Sequence, residues 1–328
     1  MNAETLTDAA SETVQAANIA EAPGNSPNML LAHYLDKQRT AITEGETAAR
    51  RGEPGAVAAI IIAARRARSA LAAHRSAAGR HAETRRLIEE LRWLGVGLDL
   101  AHDLETQRTR ITAAVDALGP RYIRGPVRTR IADYFDTRIQ LAAAEAKDFL
   151  GSARYLTILD DLEVCAASLR DGSSPFAATE RVDAILRDLL TRVRARIRAV
   201  DAATDEDAHD AAVHAVRKAA RRMRYYLESI RQLSLRHCDG ALVELTALQD
   251  VLGEHHDAVG AKHHLLELTR EAEDAEETTF TYGVLYVREL DIADRCTHVL
   301  PGACSRALRS VRFIADEGIG ASTEKVGD

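Results

Sequence analysis

Two segments of this chain repeat each other at a nearly constant spacing. Val57, Ala63, Arg65, Arg66 and Arg68 recur 156 positions later as Val213, Ala219, Arg221, Arg222 and Arg224. Further along, Leu91, Leu94, Leu98, His102 and Asp103 recur 154 positions later as Leu245, Leu248, Leu252, His256 and Asp257. Because unrelated helices would not keep one offset across two separate segments, we predict that the chain contains two homologous halves.

The composition predicts that both halves are helical. Alanine, leucine, arginine and glutamate favour helices, and aromatic residues make up only 4% of the chain. We expect an all-α fold of about ten helices in two antiparallel bundles, at residues 28–171 and 172–316. Among these helices we expect separate ones at 80–97 and 99–118, a break near Gly253, and a helix start at Pro301. Residues 1–27 predict a disordered acidic tail, and residues 317–328 a flexible one.

Charge and apolar content limit the classes of protein that remain. The chain has a net charge of −7, so any affinity for anions must come from a local concentration of cations. Its four scattered cysteines lack CxxC spacing and are interpreted as reduced core residues. No apolar stretch approaches the length of a membrane span, and the N-terminal segment has no Lys or Arg before Lys37. We therefore expect a cytoplasmic protein that does not contact a membrane.

The segment 213–226 predicts a helix with one cationic face. On a helical wheel, the side chains that fall within about 80° of His214 are Arg217, Lys218, Arg221, Arg222, Arg224 and Tyr225. Apolar side chains take the opposite side, and no acid occurs between positions 211 and 227. A solvated surface helix is the plainer interpretation, but such helices usually alternate acids with bases, because like charges destabilise neighbouring turns. The pattern favours an anion site.

The residue types in this helix suit phosphate. Arginine offers a planar fork of donors that engages two phosphate oxygens, and lysine adds a mobile point charge. Histidine adds a donor and can become cationic beside phosphate. A row of such groups matches a ligand whose charge repeats regularly.

The first copy of this helix keeps Arg65, Arg66 and Arg68 but has Ala58 and Ile61 where the second copy has His214 and Arg217. We predict that positions 58 and 61 face the same site as the second-half cations, so that Ala58→His with Ile61→Arg strengthens binding. The competing interpretation is that these positions belong to the core. If they have become core, arginine at 61 buries an unpaired charge.

These residues resemble the CHAD family, named for its conserved histidines in an α-helical domain. Its hallmark is similar to V-H-x-x-R-[VK]-x-x-[RK]-R-[LM]-R, which residues 213–224 match. A second signature resembles residues 248–259, and a weaker copy of it resembles 91–103. The resemblance covers about 28–316. It implies bundles related by a pseudo-twofold axis around a basic cavity, binding of inorganic polyphosphate, association with polyphosphate granules and no catalytic activity.

We therefore expect a polyphosphate-binding protein with no catalytic residues, cofactor or metal site. The candidate binding residues are His214, Arg217, Lys218, Arg221, Arg222 and Arg224, with Arg65, Arg66, Arg68, His256 and Lys262 as additional candidates. The alternatives are a binder of single-stranded nucleic acid, a scaffold for an acidic partner, and an enzyme acting on phosphate compounds. Few aromatic residues and a negative net charge disfavour nucleic acid. The sequence leaves the oligomeric state open.

Overall fold

The protein is all-α, as predicted. The structure, a computed structural model, describes residues 27–73, 82–171, 182–233 and 237–317, and these ranges contain no strand. The predicted tails lie outside the described residues except for Pro27, which begins the first helix, and Glu317, which ends the last. The helices are α1 Pro27–Arg50, α2 Ala56–Ala73, α3 Ala82–Asp116, α4 Val127–Leu150, α5 Ala153–Arg170, α6 Val182–Asp201, α7 Glu206–Ile230, α8 Cys238–Asp274 and α9 Phe280–Glu317.

The order of helix contacts repeats between the two halves. In the first half, α1 packs on α2 and α5, and α3 packs on α2 and α5. In the second half, α6 packs on α7 and α9, and α8 packs on α7 and α9 in the same arrangement. The halves meet where α2 contacts α7 and α3 contacts α8. The two repeated segments therefore occupy equivalent places, α2 matching α7 and α3 matching α8.

Two hydrophobic clusters form the core. One is built mainly from α1 to α5, and the other from α6 to α9. The first cluster also contains residues from the far ends of α8 and α9, among them Leu265, Leu268 and Tyr282. The division of the chain near residue 171 stays a prediction, because the two clusters share these long helices.

Three helix boundaries differ from the sequence prediction. The predicted helices 80–97 and 99–118 are one helix, α3, in which Gly97 makes room for a neighbour. A Cβ atom there would lie 2.2 Å from the Phe149 ring, which stacks on Trp93 with ring centroids 3.8 Å apart. The glycine thus serves packing between helices and does not end one.

The other two differences also concern long helices. Gly253 is buried inside an unbroken α8, where the core holds it, so the predicted break is wrong. Pro301 lies inside α9 and does not start a helix. Its side chain is exposed, so the carbonyl left without an N–H partner lies on the solvent side, where water can satisfy it.

The first-half substitutions belong to the core. Ala58 is 6% exposed and Ile61 is 1% exposed, and Ile61 is part of the first hydrophobic cluster. The prediction that these positions face the cationic site is therefore wrong, because an arginine restored at 61 would be buried in the core and would not extend a cationic surface.

Within the part of the chain that the structure describes, no helix combines the length and apolar character needed to cross a bilayer.

The burial of Ile61 predicts the effect of a charge at this position. We expect Ile61→Arg to lower the free energy of unfolding by roughly 3 kcal/mol or more, because the guanidinium is desolvated without a partner. Chemical denaturation measures this loss. The matched control is Ile62→Arg, at a half-buried position from which the longer side chain can reach water, and it should cost clearly less. Equal losses in the two variants would contradict the core placement of Ile61.

Candidate anion-binding cavity

A cavity of about 1280 Å³ lies between α2, α3, α6, α7 and α8. Its wall contains eight cationic side chains, which are Arg65, Arg68, Arg92, Arg192, Arg217, Lys218, Arg221 and Arg222. Three histidines, His102, His214 and His256, also line it, together with the five acids Glu89, Asp99, Asp103, Asp188 and Asp257. The cavity is thus cationic on balance, in a chain whose net charge is −7.

The helix α7 presents its cations to the cavity because its other face is firmly buried. Val216, Ala220, Met223 and Leu227 are all fully buried in the second hydrophobic cluster. The helix begins at an Asp205 cap, whose side chain accepts a hydrogen bond from the Ala208 amide at 2.8 Å. With both its start and its apolar face fixed, α7 cannot rotate its cations away from the cavity.

The imidazoles of His214 and His256 stack on each other at the wall of the cavity. Their ring centroids are 4.8 Å apart and the planes differ by 27°. Burial, followed by the charges of Lys218 and Arg217, lowers the pKa of His214 to about 4. Burial and then Arg217 lower the pKa of His256 to about 3. Both rings are therefore neutral at pH 7 in the unliganded protein.

Burial and neighbouring cations also lower the pKa values of two arginines. Burial lowers the pKa of Arg68, and the neighbouring Arg222 and Arg65 add to that effect. The pKa of Arg222 is likewise lowered by burial and then by Arg192. Burial and neighbouring cations thus disfavour the charged form of both arginines, and an anion entering the cavity would relieve this repulsion.

A second pocket of about 340 Å³ adjoins the cavity at the histidine pair. His214 and His256 line both spaces, and the second pocket also contains Asp207 and Asp210. The two rings therefore lie between a wall rich in arginine and a pocket whose described lining contains no arginine or lysine.

Not all of the predicted site residues reach the cavity. Arg66 and Arg224 point to Glu228, with Nε–Oε distances of 3.1 and 3.6 Å. Tyr225, on the predicted cationic face, is only 3% exposed. The reason is that α1 and α2 cross α7 at its C-terminal end, so this end is covered.

Lys262 also lies elsewhere. Its Nζ atom is 2.5 Å from Glu206 and 3.8 Å from Asp210, and the residue is 5% exposed. The structure therefore brings together His214, Arg217, Lys218, Arg221, Arg222, His256, Arg65 and Arg68, and places Arg66, Arg224 and Lys262 outside the cavity wall.

Sequence reasoning missed two cations and their acidic neighbours. Arg92 on α3 and Arg192 on α6 line the cavity beside Glu89 and Asp188. Each of these pairs follows ordinary intrahelical spacing, which is typical of a solvated helix surface. Only the weak copy of the second signature, at 91–103, could have directed attention to α3.

The arrangement suits electrostatic binding of an anion along the cavity wall. No Phe, Tyr or Trp side chain lines the cavity within the described ranges. Over those same ranges, no group of three or more His, Cys, Asp or Glu side chains is placed to hold a metal ion.

Two curated proteins are similar to this chain in sequence. Two uncharacterized proteins of Mycobacterium tuberculosis, from strains CDC 1551 / Oshkosh and ATCC 25618 / H37Rv, are each 35% identical to this chain over 234 residues. That match covers 70% of this chain and 44% of each relative, so the chain spans less than half their length.

Two solved structures share the fold. PptA from Streptomyces chartreusis aligns with a TM-score of 0.67 at 20% identity, covering 85% of this chain and 99% of that one. The CHAD domain from the plant Ricinus communis aligns with a TM-score of 0.62 at 21% identity, covering 90% and 95%. The family model described as the CHAD domain matches residues 33–266. This chain therefore belongs to the CHAD domain family.

Proposed function

We propose that this protein binds inorganic polyphosphate in the cationic cavity and leaves the polymer intact. The observation that carries the proposal is the set of eight cations along one cavity, in which burial and then neighbouring arginines lower the pKa values of Arg68 and Arg222. A polymer with one negative charge at every phosphate can contact many of these cations at once, whereas a single phosphate contacts few. Association with polyphosphate granules in the cytoplasm is part of the proposal.

Single-stranded nucleic acid is the main competing ligand, since it also carries a repeated phosphate. Such binding usually adds stacking of bases on aromatic side chains. The described cavity wall offers arginine, histidine and aliphatic side chains instead. This composition favours a polymer without bases. Because the cations line a cavity, the site also favours a flexible polyanion over a folded acidic partner, which would need an open surface.

One titration tests the proposal. Long-chain polyphosphate is added to the protein at low salt, and single-stranded DNA and ATP are then used as competitors. We expect polyphosphate to bind, to outcompete both, and to be recovered at its original length. Preferential binding of DNA, or shortening of the polymer, would contradict the proposal.

Removing one cavity cation should weaken binding. We expect Arg221→Ala to reduce polyphosphate affinity by roughly 10-fold or more, because a charge-assisted hydrogen bond contributes about 1.5–3 kcal/mol. The loss should shrink as salt rises, because the variant releases fewer counterions on binding and its affinity therefore falls less steeply with salt than that of the wild-type protein. The control is Arg231→Ala, an exposed arginine just beyond α7 that pairs with Asp239 outside the cavity. Equal losses in both variants, measured by isothermal titration calorimetry, would contradict the assignment of the cavity.

The histidine pair predicts a pH dependence. In the free protein the pKa values of His214 and His256 are about 4 and about 3, and a bound polyanion should raise both. Because the bound state then holds more protons, affinity should increase as the pH falls from 7 towards 4 and should level off below the free pKa values.

Calorimetry in buffers of different ionisation enthalpy measures this proton uptake directly. We expect the uptake, and most of the pH dependence, to disappear in the double variant His214→Gln with His256→Gln. The same pH dependence in the wild-type protein and the double variant would assign it to other groups, and this prediction would be wrong.

A further inference from the structure

One cavity arginine is already neutralised from inside the protein. The Nη2 atom of Arg65 on α2 lies 2.5 Å from Oδ1 of Asp99 on α3, and both side chains line the cavity. The Arg65 side chain is 23% exposed and that of Asp99 is 40% exposed. The pair therefore spans two helices at the wall of the proposed binding site and remains in reach of a ligand.

Neighbouring cations differ from Arg65 in this respect. Arg68, one turn further along α2, forms no ion pair with any residue in the described ranges, and the same holds for Lys218 and Arg222 on α7. A phosphate reaching these three side chains meets a cation that no carboxylate holds in an ion pair. A phosphate reaching Arg65 meets a guanidinium that already holds a carboxylate.

Two other cavity arginines have acidic partners, but those carboxylates compete less strongly with a ligand for the arginine. Arg92 pairs with Glu89 and Arg192 with Asp188, each within a single helix, and all four side chains are more than half exposed. Water and salt screen such pairs strongly. The Arg65–Asp99 pair is less exposed and joins two different helices, so we expect it to be the most persistent of the three ion pairs.

The surroundings of Asp99 do not favour its displacement by a single small anion. Asp103 lies one turn further along the same face of α3 and also lines the cavity. Its pKa is raised by burial, and the charge of Asp99 acts in the same direction. An incoming phosphate at Arg65 thus approaches a wall that carries two carboxylates.

We infer that Asp99 is an internal counter-ion that competes with phosphate for Arg65, and so limits the affinity of the cavity for its polyanion. This inference rests on the proposed function. In the free protein Arg65 is held by Asp99, and a ligand gains Arg65 only by displacing that carboxylate. A polymer anchored on the unpaired cations presents its next phosphates to Arg65 at high local concentration and displaces Asp99.

The variant Asp99→Asn tests the inference with little change in shape. The amide oxygen can still accept a hydrogen bond from Arg65, but the negative charge is gone. We expect long-chain polyphosphate to bind about 3- to 5-fold more tightly at low salt, near the upper end of what breaking a partly exposed ion pair contributes. Unchanged or weaker binding would overturn the inference.

The matched control is Asp161→Asn. Asp161 pairs with Arg86 at 2.7 Å, again between α3 and another helix, but both residues lie outside the cavity wall. The variant changes the net charge of the protein by the same amount as Asp99→Asn. We expect its polyphosphate affinity to change by less than about 2-fold, because the charge is remote and screened. An equal gain in the two variants would assign the effect to net charge and overturn the inference.

A double-mutant cycle separates competition for Arg65 from simple repulsion of the ligand by Asp99. Under competition, Arg65→Ala costs several-fold more affinity in the Asp99→Asn background than in the wild-type protein, because only there is Arg65 free for phosphate. Equal costs in the two backgrounds would overturn the inference. If wild-type protein fails to bind polyphosphate at all, the proposed function fails instead, so the two failures are distinguishable.

Discussion

The contact between α2 and α7 determines where six of the eight cavity cations lie, and one carboxylate joins the helices at this contact. Glu228 of α7 accepts a hydrogen bond from Tyr34 of α1 at 3.5 Å and one from Arg66 of α2 at 3.1 Å, and it lies near Arg224 of its own helix. Burial, and then the charge of Glu228, raises the pKa of the Tyr34 hydroxyl, so it stays a donor. This junction fixes the two repeated helices relative to each other, and the cavity opens beside it.

The apolar faces of these two helices oppose the repulsion among the cations. The buried side of α2 is largely alanine, including Ala63, Ala64, Ala67 and Ala70, which allows its neighbours to approach closely. Once α2 and α7 are packed, their charged faces must share one space. Burial of apolar surface thus maintains an arrangement of like charges that would destabilise an isolated helix. The cavity is preorganised for an anion because the core, and not the charges, determines its shape.

Much of this arrangement could be predicted from sequence, because it depends on local periodicity and on the repeat. The helical class follows from composition, and the equivalence of α2 and α7 and the shared face of Lys218 and Arg221 follow from spacing, whereas the basic cavity is implied by the family resemblance. A helical wheel treats every turn alike, however, so it could not show that α1 and α2 cover α7 beyond Arg222 and remove Arg224 from the wall. Pairs between distant segments, such as Arg65 with Asp99, leave no periodic signal in the sequence.

The long helices α8 and α9 have a consequence for how the molecule folds. Their far ends place Leu265, Leu268 and Tyr282 in the hydrophobic cluster of the first half. A fragment that stopped near residue 171 would leave part of that cluster open to water, and a fragment that began there would expose the same side chains. Neither half can complete its own interior, so the protein should unfold in a single cooperative transition rather than one half at a time. The repeated halves thus behave as one folding unit: the repeat is still visible in the sequence, although neither half should fold independently.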